Sequence, residues 1–257
     1  ALLGGADFGG GIWDLLASGP RAREQRALVE RAIGPIWEAN HVWLILVVVV
    51  LFTGFPAAFA AVSTRLFVPL TLLLLGIVLR GAAFTFRTYD TPRDPVQRRW
   101  GLLFSGSSVL APLMLGVVVG QLASGRAGSF SAFPLLTGLL AAGLFAFLAA
   151  TYLAVEAEGA LREDFRRRAV AAGAAVFLLA AAAAATSPRE APLVFRGLTA
   201  RGWSLPLHLA TGAAAVTAFA ALLRRRFRLA RLAAAIQVAL IVVGWGASQH
   251  PWLVVPD

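Results

Sequence analysis

The sequence has no cysteine and no lysine, one methionine (Met114) and three histidines (His41, His208 and His250) in 257 residues. Without cysteine there are no disulfides and no thiolate metal sites. Without lysine, every basic side chain is an arginine, and the formal charge is +10. Charge is scarce: 14% of residues are charged and 59% are hydrophobic, with a mean hydropathy of +0.77. That composition excludes an ordinary soluble domain and indicates a membrane protein. Phosphate loops, nucleophile elbows and paired catalytic carboxylates in a soluble pocket are also missing. No linker or low-complexity region divides the chain, and there is no internal repeat of the kind many secondary transporters carry.

What is present is a series of apolar runs, each near the ~20 residues a membrane helix needs. About eight transmembrane helices are predicted, at roughly 1–16, 38–62, 66–87, 101–124, 134–156, 169–187, 203–223 and 231–248. The spans are too long and too uniformly apolar for barrel strands, so the fold class is all-α. Residues 1–257 are expected to form a single polytopic membrane domain. The first span is short and does not start with Met; it reads as the second half of a helix and not as a signal peptide. Pro56 is expected to kink the second span or end its regular hydrogen bonding near Thr53. Residues 17–34 place charges at helical spacing, which predicts a short interfacial helix. Residues 187–204, bounded by Pro and Gly, are expected to form the longest outer loop.

The arginines alternate between connections. Arg21, Arg23, Arg26 and Arg31 lie in the first, Arg87, Arg93, Arg98 and Arg99 in the third, Arg162 and Arg166–Arg168 in the fifth, and Arg224–Arg226, Arg228 and Arg231 in the seventh. The even connections hold few. This is the positive-inside pattern: odd connections are cytoplasmic and the start of the first helix is outside. It also argues against nucleic acid as the reason for the positive charge, and points to contacts with anionic lipids.

Polar groups within such spans are costly and mark candidate sites. Asp7, in "GGADFGGGIWD", lies about nine residues, or ~14 Å, from the inner end of the first helix. Gly11 and Asp14 share its face. Glu38 and His41, in "GPIWEANHVWLILVVVVLF", share a face at the cytoplasmic start of the second helix. Asp7 and Glu38 therefore read as two steps of a proton path, with His41 as a further relay candidate. The competing reading makes Glu38 a residue of the first helical turn, favoured by the helix dipole, with Trp37 and Trp43 anchoring at the headgroups. Arg80 either snorkels to the inner face or pairs with an acid such as Glu38; a structural role is favoured for it. Asn40 and Trp37 stand with Arg80 as structural partners of the acids. His41 falls near the inner face and His208 and His250 near the outer one, so no metal or haem ligand set is expected from this chain.

Four stretches together are more specific. "GGADFGGG" at 4–11, "IGPIWEANHVWLI" at 33–45, "LRGAAFTFR" at 79–87 and "GWGASQHPWLVVPD" at 244–257, in that order, resemble the smaller membrane subunit (subunit II) of cytochrome bd-type quinol oxidases. The resemblance implies two four-helix bundles, with a ninth peripheral helix following residue 257. It implies a heterodimer with subunit I, which carries two b-type haems, haem d and the quinol site. Small single-helix accessory subunits and membrane lipids are further implied partners. The implied setting is the cytoplasmic membrane of a bacterium or archaeon. The complex would oxidise quinol, reduce oxygen to water and take protons from the cytoplasm, with no catalytic or cofactor ligand in this chain. An Asp in the first helix and an acid after the second-helix Trp, linked in the family to proton supply or haem-site stability, correspond to Asp7 and Glu38. Many relatives have Asp where Glu38 stands and Gln or Glu where His41 stands. An acid some members carry before the glycine-rich stretch is replaced here by Leu3 and Gly4. The alternative reading is a proton-coupled transporter using Asp7 and Glu38.

Overall fold

A computed structural model describes residues 2–89, 95–125 and 130–252, with the side chains of 34–38, 87–89 and 95–98 outside the description. Ten helices and no strand occur among the described residues. They are α1 (Leu2–Leu15), α2 (Ala22–Gly54), α3 (Pro56–Arg65), α4 (Phe67–Tyr89), α5 (Pro95–Ser124), α6 (Ala132–Glu156), α7 (Gly159–Glu190), α8 (Pro192–Ala200), α9 (Ser204–Leu223) and α10 (Phe227–Gln249). Six are long and apolar enough to cross a membrane, and the bent pair α2–α3 makes a seventh candidate. At 14 residues, α1 is shorter than a full span.

The helices pack in two groups. In the first, α1 touches α2 and α5, and α4 lies along α5; in the second, α6 pairs with α7 and α10, and α9 with α10. The groups meet where α6 lies against α1 and α5. Leu144–Leu148, Ala149 and Ala150 of α6 are all buried. A helix stretch covered on every side lies at the centre of a bundle; in α6 that stretch is Leu144–Ala150, while Leu135 and Leu139 nearer its start stay exposed. Its apolar residues need no outward polar face, because the neighbours supply one apolar surface after another.

The break after Gly54 has the expected cause. Pro56 has no amide hydrogen to continue the ladder, the last bond runs from Phe55 N to Leu51 O at 3.1 Å, and the chain turns by 114°. Two other expectations are corrected. Residues 22–33 do not form a separate interfacial helix; they are the first turns of the 33-residue α2. Leu28, Val29 and Ile33 are 1–2% exposed, because the glycines of α1 let α2 pack inward instead of lying on the surface. Residues 187–204 are not an open loop: α7 continues to Glu190 and α8 follows. Gly197 of α8 sits so close to α10 that a Cβ there would lie 2.6 Å from Ser248 O. Docking on α10 converts a segment with loop-like composition into a helix.

At the arginine-rich end the two groups are tied by side chains. Arg21 donates from Nε and Nη2 to the two oxygens of Asp164, at 2.8 and 2.6 Å. Gln25 Nε2 adds a bond to Asp164 at 3.2 Å, and Arg168 donates to Gln25 Oε1 at 2.7 Å and to Leu16 O at 3.1 Å. Next to this, Arg166 chelates Glu163. Both acids precede the apolar part of α7, which starts at Ala169. The bonds from Arg21 hold the Asp164 carboxyl below its ordinary range. Arg166 holds Glu163 down to about 2, from 4.5. A carboxyl lowered in the folded state stabilises the fold above its unfolded pKa and loses that contribution as pH falls toward the lowered value. Acidification from about pH 5 to about pH 3 should therefore lower the melting temperature in detergent, and Glu163→Gln with Asp164→Asn should make that decline shallower. At neutral pH the same double substitution should change the melting temperature little, because these pairs are partly solvated. An unchanged acid decline in the double variant would rule out this source of stability.

Candidate functional site

Asp7 and Arg80 are the most deeply buried charged pair among the described residues, at 0% and 1% side-chain exposure. Asp7 comes from the middle of α1 and Arg80 from α4, and α5 and α2 complete the site. The guanidinium meets the carboxylate side by side: Nη2 donates to Oδ1 at 2.5 Å and Nη1 to Oδ2 at 3.1 Å. Nη2 also reaches the backbone oxygen of Asp7 at 3.1 Å, and Nε donates to Ser108 Oγ at 2.9 Å. Ser108 in turn donates to Phe104 O at 2.7 Å. From α2, Asn40 Nδ2 donates to Asp7 Oδ2 at 3.1 Å. Phe8 and Phe104 lie 4.8 and 4.9 Å from the guanidinium carbon.

This arrangement answers the cost of burying two charges. Desolvation is several kcal/mol per ion and is offset only when geometry is good and the remaining donors are satisfied. Here the bond is bidentate, which is the strong form, and the ring contacts use the planar cation as well. The pair also works as a joint, since one guanidinium contacts residues of α1 and α5 while its own backbone belongs to α4.

The glycines around Asp7 make the joint possible. A Cβ at Gly9 would lie 2.0 Å from the backbone oxygen of Phe145 in α6, and one at Gly11 would lie 2.1 Å from Ser108 Oγ. The first glycine lets α6 touch α1 backbone to backbone. The second lets the Ser108 hydroxyl sit against α1 within reach of Arg80. Trp13 Nε1 adds a buried bond to Ala146 O at 2.8 Å.

Arg80 does not snorkel: it is buried and held to Asp7. Asn40 joins the cluster directly. His41 is half-buried on α2. The side chains of Trp37 and Glu38 lie outside the described residues, so their part in the expected path carries no geometry. Ser105, Ser108, Phe8 and Phe104 were not singled out from the sequence. The signal for the serines was "SGSS" at 105–108, three small hydroxyl residues inside an apolar helix, where such groups mark close helix contacts. Among the described residues no three His, Cys, Asp or Glu side chains converge as metal ligands. His208 Nδ1 is bonded to Ser204 O at 2.6 Å in its own helix. His41 lies on α2, His208 on α9 and His250 just after α10.

Comparison with known proteins supplies the context. The family profile described as "Cytochrome bd terminal oxidase subunit II" matches residues 1–257. The chain is 33% identical over 117 residues to the cytochrome bd ubiquinol oxidase subunit 2 of Bacillus subtilis, covering 46% of this chain and 34% of that one. It is 31% identical over 178 residues to the cytochrome bd-I ubiquinol oxidase subunit 2 of Escherichia coli K12, covering 63% of this chain and 46% of that one. It thus spans less than half the length of these two relatives. In fold it is similar to a chain of the bd oxidase from Geobacillus thermodenitrificans, with a TM-score of 0.83 over 99% of this chain and 81% of the other, at 20% identity.

Proposed function

The chain belongs to the cytochrome bd terminal oxidase subunit II family, and from that premise we propose that it is the haem-free subunit of a respiratory quinol:oxygen oxidoreductase. The observation that carries this is the family match along the whole chain. The haems belong, on this reading, to a partner subunit I. When bound there, the haems pass electrons from quinol to oxygen.

Two tasks follow for this chain's own residues. The first is to stabilise the partner, with the α1–α4–α5 joint giving the first helix group a fixed shape. The second is to supply protons. Reduction of oxygen to water consumes protons deep in a membrane, and a bilayer interior conducts none without polar groups. Asp7, with Asn40 and Ser108 around it, is a buried polar cluster in an otherwise apolar layer. Such clusters mark proton routes by default. Glu38 and His41 share a face of α2, three residues apart, and are proposed as steps toward the Asp7 cluster. On this reading the arginine-rich connections face the cytoplasm of a bacterial cell, by the positive-inside rule.

The test uses the complex purified with its partner. Glu38→Gln should keep the haem absorption bands and slow quinol-driven oxygen consumption by about tenfold or more, the scale of a lost proton-transfer group. His41→Gln should have a smaller effect. Loss of haem bands in Glu38→Gln would make the role structural. Unchanged rate and spectrum in Glu38→Gln, and in a variant whose Asp7–Arg80 pair is replaced by apolar residues, would refute proton supply by this chain. A purified complex without haem bands would refute the oxidase reading as a whole.

A further inference from the structure

The turn between α9 and α10, at the arginine-rich end, puts a long side chain where helices usually place glycine. Arg226 N donates to Ala221 O at 2.8 Å and Arg225 N to Leu222 O at 3.3 Å. These paired bonds close a helix through one left-handed residue, most often glycine. Here that residue is Arg225, at φ 57°, where a Cβ is disfavoured. We infer that residues 224–228, "RRRFR", form a docking site for the headgroup of an anionic phospholipid. Such a site is independent of how protons reach the Asp7 cluster.

The arginines of this turn outnumber the acids within their reach. Glu163 is chelated by Arg166, with Arg167 at 3.5 Å and Arg225 at 3.9 Å, so a single carboxylate already serves several cations. Arg224, Arg226 and Arg228 make no ion pair or side-chain hydrogen bond among the described residues. The other acids where α6 gives way to α7 do not answer them: Asp164 is held by Arg21, Glu156 lies by Arg231, and Glu158 pairs with no arginine. Helix dipoles do not remove the excess either. Arg224 and Arg225 end α9, where a cation is favoured, but Arg226 and Arg228 begin α10, where it is not. No acid stands in that first turn of α10. The balancing charge therefore has to come from outside the chain.

The residues beside the arginines select a lipid as the source of that charge. Leu223, Leu229 and Leu232 are 65, 42 and 58% exposed. Arg228 and Leu232, four apart, share a face of α10, with Leu232 ~6 Å further along the helix. A phospholipid fits both features: its phosphate meets the guanidinium forks, which bind phosphate oxygens in pairs, and its acyl chains cover the leucines. The turn is also held from behind. Arg162, in the first turn of α7, lies 5.5 Å from the Phe227 ring centre and donates to Ala157 O at 2.7 Å. With Phe227 fixed in this way, the backbone of the turn needs no ordering when a headgroup arrives, which spares that part of the cost of binding.

The experiment counts dioleoylphosphatidylglycerol held by the purified complex, by native mass spectrometry, with dioleoylphosphatidylcholine as the neutral control. The parent complex should hold phosphatidylglycerol in preference. An arginine near an anionic headgroup is worth about fivefold in affinity, so Arg224→Gln, Arg226→Gln and Arg228→Gln together should weaken one site about a hundredfold. The same three positions changed to Lys should keep most of the binding, since the charge remains. Arg225→Gly should raise the melting temperature in neutral detergent, by relieving the left-handed side chain, yet weaken phosphatidylglycerol binding about fivefold. Arg23→Gln with Arg31→Gln, in a connection that also holds Glu24 and Glu30, should change lipid retention little. Equal losses in this control and in the triple Gln variant would overturn the site and leave only a general attraction of positive charge. Equal retention of the two lipids by the parent would overturn it without any variant. Release of the partner subunit from the triple Gln variant, with no lipid lost, would assign the arginines to a protein contact and overturn it too.

Discussion

Arg80→Met should abolish recovery of the folded chain from membranes, or lower its stability by about 3–5 kcal/mol where it survives. Asp7 is completely buried, and losing Arg80 would leave its charge with Asn40 as the one other side-chain donor seen on it. The penalty for an uncompensated buried charge is what sets this size, more than any attraction lost. Asp7→Leu alone should do comparable harm by stranding the guanidinium. The double variant Asp7→Leu with Arg80→Met should recover much of the loss, because an apolar pair of similar volume avoids the desolvation of both ions. Monodisperse yield and melting temperature in detergent, measured as a double-mutant cycle, check this. Additive losses in the double variant would mean that the two residues act independently, against the joint described above. The recovered double variant also isolates the proton question, since it keeps the packing and removes the acid.

The second large effect is expected at Gly9. Its nearest neighbour is a backbone oxygen of α6, 2.0 Å from where a Cβ would stand. A backbone atom of the central helix cannot rotate away as a side chain can, so α1 and α6 would have to separate by an ångström or more, ~1–3 kcal/mol by the usual scale of overpacking. Separation would also stretch the Trp13–Ala146 bond. Gly9→Ala should therefore lower the melting temperature markedly, while Gly54→Ala, with nothing within 4 Å, should not. Intrinsic tryptophan fluorescence gives an independent reading, though six other tryptophans share the signal. Equal melting temperatures for Gly9→Ala and the parent would contradict the packing of α1 on α6.

Much of the fold was legible because its causes are local. Apolar runs marked where the long helices lie, although α2 begins at Ala22 and α7 at Gly159, well before their apolar parts, and Pro56 announced the break between α2 and α3. The segments that were misjudged are those whose structure comes from contact. Residues 22–33 look amphipathic enough for a surface helix, but Ile33 and Val29 fill the space left by Gly10. Residues 191–201 look like a loop until α10 offers the place where Gly197 docks. The candidate site divides in the same way. Asp7 stood out alone, since an acid in an apolar span is conspicuous in any sequence. Its partner was not identified: Arg80 was expected to snorkel or to pair with an acid such as Glu38, and it reaches Asp7 across 73 positions, which depends on how α4 is rotated. No spacing rule within one helix encodes that rotation. It is set by Phe8 and Phe104 closing over the guanidinium, which is a property of three helices together.

The distances along the chain between these contacts have a meaning during synthesis. Asp7 leaves the ribosome 73 residues ahead of Arg80, and Trp13 leaves 133 ahead of Ala146. At roughly 5–20 residues per second, the acid waits several seconds for its counter-charge and α1 waits on the order of ten seconds for α6. During that interval the glycine-lined helix first lacks its ion pair and then, with Arg80 made, still lacks the surface it was shaped to fit. α1 is thus made well before the helices that lock it, and a nascent chain stalled before α6 would present an unfinished α1 to whatever quality control patrols the membrane.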